Sequence, residues 1–138
     1  MITRHAMRLV AVGREKKAID ILYRLLAERG PEESISHKAM PTIDEHRRFV
    51  NSVPYQVWYL IQVNDVYVGS VYISKQREVG VSIFKEYRRK GYAEEALGQV
   101  MERWPGRLLA NINPSNAKSA GLFGKLGFTL LQHTYAKP

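Results

Sequence analysis

EVGVSIFKEYRRKGYAEEALGQVMERW, residues 78–104, contains the turn on which the fold of this chain is decided. Its opening, Glu78 to Phe84, is rich in β-branched and apolar residues and reads as a strand. From Ala93 onward the apolar residues Ala96, Leu97, Val100, Met101 and Trp104 recur at helical spacing until Pro105-Gly106 stops the ladder. Between the two lies Arg88-Arg89-Lys90-Gly91-Tyr92-Ala93. A helix N-terminus presents unpaired N–H groups and the positive end of its dipole, and a glycine there lets backbone come close to a ligand. Three adjacent cations reinforce that field, so the turn is in principle a cradle for a pyrophosphate. A solvated basic turn capping a helix accounts for the same residues, and neither G-x-G-x-x-G nor G-x-x-x-x-G-K-[ST] occurs to favour the usual nucleotide sites.

Toward the N-terminus, Gln56 to Phe84 reads as three antiparallel strands, Gln56–Val63, Val66–Ser74 and Glu78–Phe84, broken by Asn64-Asp65 and Lys75-Gln76-Arg77. Trp58, Tyr59, Tyr67 and Tyr72 alternate along them and read as cross-strand packing. Before these, Thr42-Ile43-Asp44-Glu45 has the form of a capping box and opens a short helix through Phe49 and Val50. Ala18, Ile19, Leu22, Leu25 and Leu26 predict an earlier helix ended by Arg29-Gly30-Pro31, and Met7–Val12 a first strand stopped by Gly13. Toward the C-terminus, Arg107–Ile112 reads as a strand, Ala117–Leu126 as a helix and Phe128–Tyr135 as a final strand. The order is β-α-α-β-β-β-α-β-α-β: an α/β fold in a single domain over residues 1–138, with a mixed, mostly antiparallel central sheet flanked by helices.

Composition narrows the function. With 138 residues, 45% of them hydrophobic, the chain can bury a core. A formal charge of +8 favours anionic ligands without choosing among phosphates, nucleic acid and acidic membrane. The absence of cysteine removes disulfides, thiolate metal sites and a cysteine nucleophile, and the four histidines lack ligand spacing, so no metal is expected. No apolar run reaches the length of a membrane span and no leader is evident, which predicts a soluble cytoplasmic protein with no membrane partner. The cations are dispersed and no RNP-like run of aromatics and glycine occurs, which disfavours nucleic acid.

A second stretch adds to the first: Asn113-Pro114-Ser115-Asn116-Ala117-Lys118-Ser119, followed by Leu122-Phe123-Gly124-Lys125-Leu126-Gly127-Phe128. Here the chain resembles the GNAT superfamily of acyl-CoA-dependent N-acyltransferases. Arg88, Gly91 and Ala93 match that family's phosphate-loop pattern Q/R-x-x-G-x-G/A. Asn116, Ser119, Lys125, Gly127 and Phe128 match its late-helix pattern N-x-x-S/A-x-x-x-Y-x-K-x-G-F, with Phe123 where tyrosine is usual. The resemblance covers nearly the whole chain, with one strand after Phe128 where the family commonly has two.

The resemblance implies an acetyltransferase that uses acetyl-CoA as co-substrate and a primary amine as acceptor, a small molecule or a peptide. Its branch is closest to those acetylating protein N-termini, small amines or nucleotide-linked amino sugars. It implies that the backbone of Val81, Ile83 and Phe84 pairs with the pantetheine arm, that Arg88, Arg89, Lys90, Gly91, Tyr92 and Ala93 hold the pyrophosphate, and that Asn116 and Ser119 support the arm or its loop. Phe123 then lies beside the sulfur without acting as an acid. Glu78 is the first choice of base, His37 and His46 are substrate-side candidates, and Tyr135, with His133, enters the same pocket from the last strand. Two rivals stay open: a CoA-binding module without catalysis, motivated by Phe123, and a basic nucleic-acid-binding domain, motivated by charge alone. Oligomeric state is open, a homodimer included.

Overall fold

A computed structural model of the chain describes residues 6–29 and 39–138. Four strands, β1 (Met7–Ala11), β2 (Val57–Val63), β3 (Val66–Ile73) and β4 (Val79–Ile83), form one antiparallel sheet in chain order. The turn between β2 and β3 is built by Asn64 and Asp65, both at positive φ (49° and 68°), where short polar side chains are tolerated and the twist suits a hairpin. Pairing passes from Ile61↔Gly69 to Gln62↔Tyr67, which leaves Val68 as a bulge on β3.

Helices cover both faces. On one, α1 (Ala18–Ala27) buries Ala18, Ile21, Leu22 and Leu25 with Val50 of α2 (Ile43–Asn51) against Leu60 and Phe84. On the other, Ala96, Leu97 and Val100 of α3 (Tyr92–Arg103) pack with Phe123 of α4 (Ala117–Lys125) on Ile61, Val71, Ile73, Val79 and Ile83. The capping box at α2 is formed in both directions: Glu45 N–H donates to Thr42 Oγ1 (3.1 Å) and Thr42 N–H to Glu45 Oε1 (2.9 Å). The Thr42 N–H holds the Glu45 carboxyl below its usual range. Helix α4 ends in a Schellman motif. Gly127, at φ 93°, donates to Gly124 O and Phe128 donates to Phe123 O, while the two phenylalanine rings meet edge to face at 5.0 Å.

The mixed α/β architecture stands as expected, but the last two expected strands do not form. Of Arg107–Ile112 only Leu109 pairs, in a single parallel bridge with Glu78. Beyond that bridge the segment diverges from β4 instead of continuing the ladder. Residues 128–135 adopt no strand; Leu130, Leu131 and Tyr135 stay exposed there, and no backbone ladder joins them to a described strand. Their alternation supplies strand propensity without a paired neighbour to realise it. Among the described residues no helix is long and apolar enough to cross a membrane, and no cluster of three or more His, Asp or Glu could hold a metal.

Candidate functional site

Strand β4 has one satisfied edge and one open edge. Ser74 N–H donates to Glu78 O and Phe84 N–H to Val68 O, so the even-numbered residues of β4 turn their backbone groups toward β3. The odd-numbered ones turn theirs the other way, where Val79 N–H finds Leu109 O at 2.8 Å. Past that single bond the chain on the far side leaves, so Val81 and Ile83 present backbone groups to a gap instead of to a strand. The gap is the floor of a cleft of about 700 Å³ walled by β4, the first turn of α3, Asn111–Asn113 and α4. That volume suits a small-molecule site.

One fastening fixes the narrow end of the cleft. Arg77, at φ 67°, donates from its guanidinium to Trp104 O, Pro105 O and Arg107 O, while Leu109 N–H donates to Arg77 O. The β3–β4 turn, the end of α3 and the segment leading to Leu109 are thereby tied together, and the walls open away from that point.

The turn into α3 sits at the cleft's cationic end. Gly91 is the N-cap at φ 80° and supplies no side-chain cap, and a Cβ built on it would meet nothing within 4 Å. Gly91, Tyr92, Ala93 and Glu94 line the cleft together with Arg88 and Arg89. The Arg88 Nε–H donates to Ile83 O at 3.0 Å, which closes the loop between β4 and α3 and also occupies one backbone acceptor of the open edge. Glu94 would oppose an anion there, but Lys125 Nζ lies 3.2 Å from its carboxylate. From the α4 side, Lys118, Asn116, Ser119 and Phe123 line the same space. Asn116 Oδ1 accepts from Ser119 N–H at 3.1 Å and caps α4, and Phe123 is buried, with 5% of its surface exposed. An uncapped helix start, a close-approach glycine and three cations fit a phosphorylated ligand, and the open strand edge fits an extended arm.

Glu78, at the start of β4, lines the cleft with Tyr72 and Tyr55, and Arg29, just beyond α1, lines it as well. Glu78 Oε2 accepts from Asn111 Nδ2, which orients the carboxylate at the start of the open edge, and Glu78 N–H donates to Ser74 Oγ. Tyr55 and Tyr72 stack with centroids 4.0 Å apart and planes 10° from parallel. Burial pushes the Tyr55 phenol up to about 12 and raises that of Tyr72 as well, so both are neutral donors at neutral pH.

Tyr72, expected in cross-strand packing, thus faces the cleft, and Arg29, Tyr55 and Asn111 were not anticipated from sequence. The register held one signal: Tyr72 pairs with Gly80, and a Cβ at Gly80 would collide with the Tyr72 ring, so the small residue makes room for the large one.

Several expected site residues lie elsewhere. Phe84 has the wrong parity: its N–H bonds to β3 and its ring is buried under the Arg24 guanidinium, 5.6 Å away. His46 is 5% exposed in the core, its Nε2–H donating to Ile19 O at 3.2 Å and its ring 5.2 Å from Tyr23. Tyr135 is 90% exposed beside His133, because the strand meant to carry both does not form, and neither lines the cleft. Lys90 is exposed outside the lining. His37 lies outside the described residues.

This architecture, with a strand edge opening onto an uncapped helix, coincides with a match over residues 14–129 to the family described as "Acetyltransferase (GNAT) domain". The chain belongs to the GNAT acetyltransferase family. Solved structures share the GNAT fold seen here. A domain from Methanocaldococcus jannaschii superposes with a TM-score of 0.79 at 19% identity, covering 95% of this chain and 93% of that one. An acetyltransferase from Thermus thermophilus gives 0.73 at 17% identity over 94% and 92%. An aminoglycoside N-acetyltransferase in complex with CoA gives 0.72 at 16% identity over 100% and 98%. At these identities the likeness is one of fold. Among curated proteins, none matches this GNAT chain.

Proposed function

We propose that this protein transfers the acetyl group of acetyl-CoA to a primary amine, with Glu78 as the base. The observation that carries the reading is the open edge of β4, which runs from the Glu78 carboxylate at one end to the uncapped turn at Gly91 at the other. Acetyl-CoA supplies an activated acyl thioester. Arg88, Arg89 and the first turn of α3 would hold its pyrophosphate. Val81 and Ile83 offer backbone N–H groups to its arm and, at the thioester, to the charge that develops on the carbonyl oxygen. A protonated amine cannot attack, so Glu78, oriented by Asn111, takes its proton directly or through water. The amine nitrogen then bonds the acetyl carbon and releases its surplus proton to solvent, the carbon–sulfur bond breaks, and the departing sulfur takes a proton from solvent. Phe123 cannot donate that proton, but a thiol with an ordinary pKa of about 8.5 leaves without such help near neutral pH.

The test is calorimetry of acetyl-CoA binding, paired with detection of free thiol across a panel of amines. Gly91→Glu places a carboxylate where phosphate should approach and should weaken acetyl-CoA binding by about 10-fold or more, from the loss of charge-assisted hydrogen bonds. Unchanged affinity in a folded Gly91→Glu protein would remove the cradle from the site.

A further inference from the structure

We propose that Arg77 is a positioning residue for acetyl-CoA: from behind the cleft it fixes how far the walls stand apart, and so sets the affinity for the co-substrate. This rests on the acetyl-CoA reading above. Arg77 lies in the β3–β4 turn and does not line the cleft. Its guanidinium enters a socket of three backbone carbonyls, with Nη2 3.3 Å from Trp104 O and 3.0 Å from Pro105 O, and Nε 3.2 Å from Arg107 O. Trp104 is the C-cap of α3, so the socket also holds the negative end of that helix, which a cation complements. Arginine suits it, because a planar fork of fixed donors can serve several acceptors at once.

Two unusual backbone positions build the socket. Arg77 stands at φ 67°, which a non-glycine residue keeps only where its surroundings over-determine it. Here the backbone bonds from Arg77 N–H to Ser74 O (3.0 Å) and from Leu109 N–H to Arg77 O (2.9 Å) add to the three from the side chain. Gly106 stands at φ 112°, and a Cβ on it would come 3.3 Å from Arg77 Nη2, so the glycine leaves the guanidinium its place. Three surfaces of the cleft share this one fastening. The floor, β4, starts two residues after Arg77; the wall at Asn111–Asn113 starts two residues after Leu109; and α3, whose first turn forms the cradle, ends at the socket. A 12-residue helix is about 18 Å long, so a pivot of about 3° at its fastened end moves the cradle by about 1 Å. Misplacement of that size is enough to spoil a site that must grip its ligand at several points. The buried contacts of Ala96, Leu97 and Val100 do not involve Arg77, so α3 stays on the sheet without it.

The experiment pairs calorimetry of acetyl-CoA binding with thermal unfolding on the parent protein, Arg77→Gly, Arg77→Lys and Val50→Ala, with binding measured where all four are folded. Glycine accepts φ 67° freely, so Arg77→Gly removes the guanidinium without straining the turn. Val50→Ala opens a cavity on the opposite face of the sheet and shows what lost stability alone does to binding. Arg77→Gly should weaken acetyl-CoA binding by about 10-fold, and Arg77→Lys, which keeps the charge, by less. Val50→Ala should lower Tm and leave the affinity unchanged. If Arg77→Gly does not fold, Arg77→Lys carries the comparison with Val50→Ala. Parental affinity in the Arg77 variants, or an equal loss of affinity in Val50→Ala, would overturn the proposal and leave acetyl-CoA binding standing. A parent protein that does not bind acetyl-CoA would overturn both.

Discussion

Replacing Gly80 by alanine puts a single methyl group against the Tyr72–Tyr55 stack that lines the cleft. Gly80 stands opposite Tyr72, and an added Cβ would lie on the Tyr72 ring, well inside the carbon–carbon contact distance of about 3.5 Å. The strand backbone is held by the β3–β4 ladder, so the outer part of the ring must move, by roughly 1 Å to restore contact distance. The stack on Tyr55, with centroids 4.0 Å apart, is then lost. Such a pair is worth about 0.5–1.5 kcal/mol, and overpacking adds about 1–3 kcal/mol. Against this, alanine for glycine recovers about 0.4–1 kcal/mol through the unfolded chain.

The net loss should be about 0.5–4 kcal/mol, and the middle of that range corresponds to a fall in Tm of about 7–9 °C for a domain of this size. Acceptor KM should rise several-fold, while acetyl-CoA affinity, set at the Gly91 turn, should hold. The assay is thermal unfolding of Gly80→Ala, Tyr72→Ala and the double variant, with acceptor kinetics on each. If the ring is what the methyl meets, Gly80→Ala should cost almost nothing once Tyr72 is alanine. An equal cost in both backgrounds would refute the reasoning.

Val81→Pro removes an N–H that faces away from β3, so the ladder should survive with only a modest fall in Tm while acetyl-CoA affinity drops by about 10-fold; calorimetry showing no drop would dismiss the strand edge as a binding element. Glu78→Gln keeps the bond with Asn111 in shape but not in basicity, and should lower turnover by about 100-fold near neutral pH with a smaller deficit at alkaline pH; overlaid pH–rate profiles would free Glu78 from the reaction. Burial holds the His46 imidazole below its ordinary value of 6.5, so the unfolded chain takes up the proton first. Its contribution to stability is complete above pH 6.5 and is lost as pH falls from there through the lowered folded value. Urea unfolding of the parent and His46→Gln, at neutral pH and at about pH 5, should show the parent losing more on acidification, and equal losses would place His46 outside the core.

The part of the fold that local chemistry specifies is legible in the chain. Thr42 and Glu45 form the capping box that their spacing predicts, and the three central strands lie within about one residue of the expected bounds. What the chain does not disclose is whether a segment with strand propensity has a neighbour. Residues 107–112 and 128–135 carry that propensity, but one parallel bridge is all the first obtains and the second obtains none among the described strands. The site divides in the same way. The Arg88 to Ala93 turn is local and readable, whereas Arg29, Tyr55, Tyr72 and Asn111 come from four separate places in the chain and meet only through the fold. His46 is the converse case, a polar residue that spacing pairs with buried Val50 at one helical turn and that the core accepts because Ile19 offers a carbonyl.

The unpaired edge of β4 also bears on how this protein behaves at high concentration. Exposed strand edges recruit other strands, and natural proteins guard them with charge or cover. Here the guard is recess: the edge lies at the floor of a cleft walled by α3, α4 and Asn111–Asn113, and Arg88 already occupies the Ile83 carbonyl. A flat sheet from a neighbouring molecule has no flush approach to a recessed edge, whereas the single extended arm proposed above would enter it end-on. Both consequences would follow from the same divergence of two chain segments after Leu109.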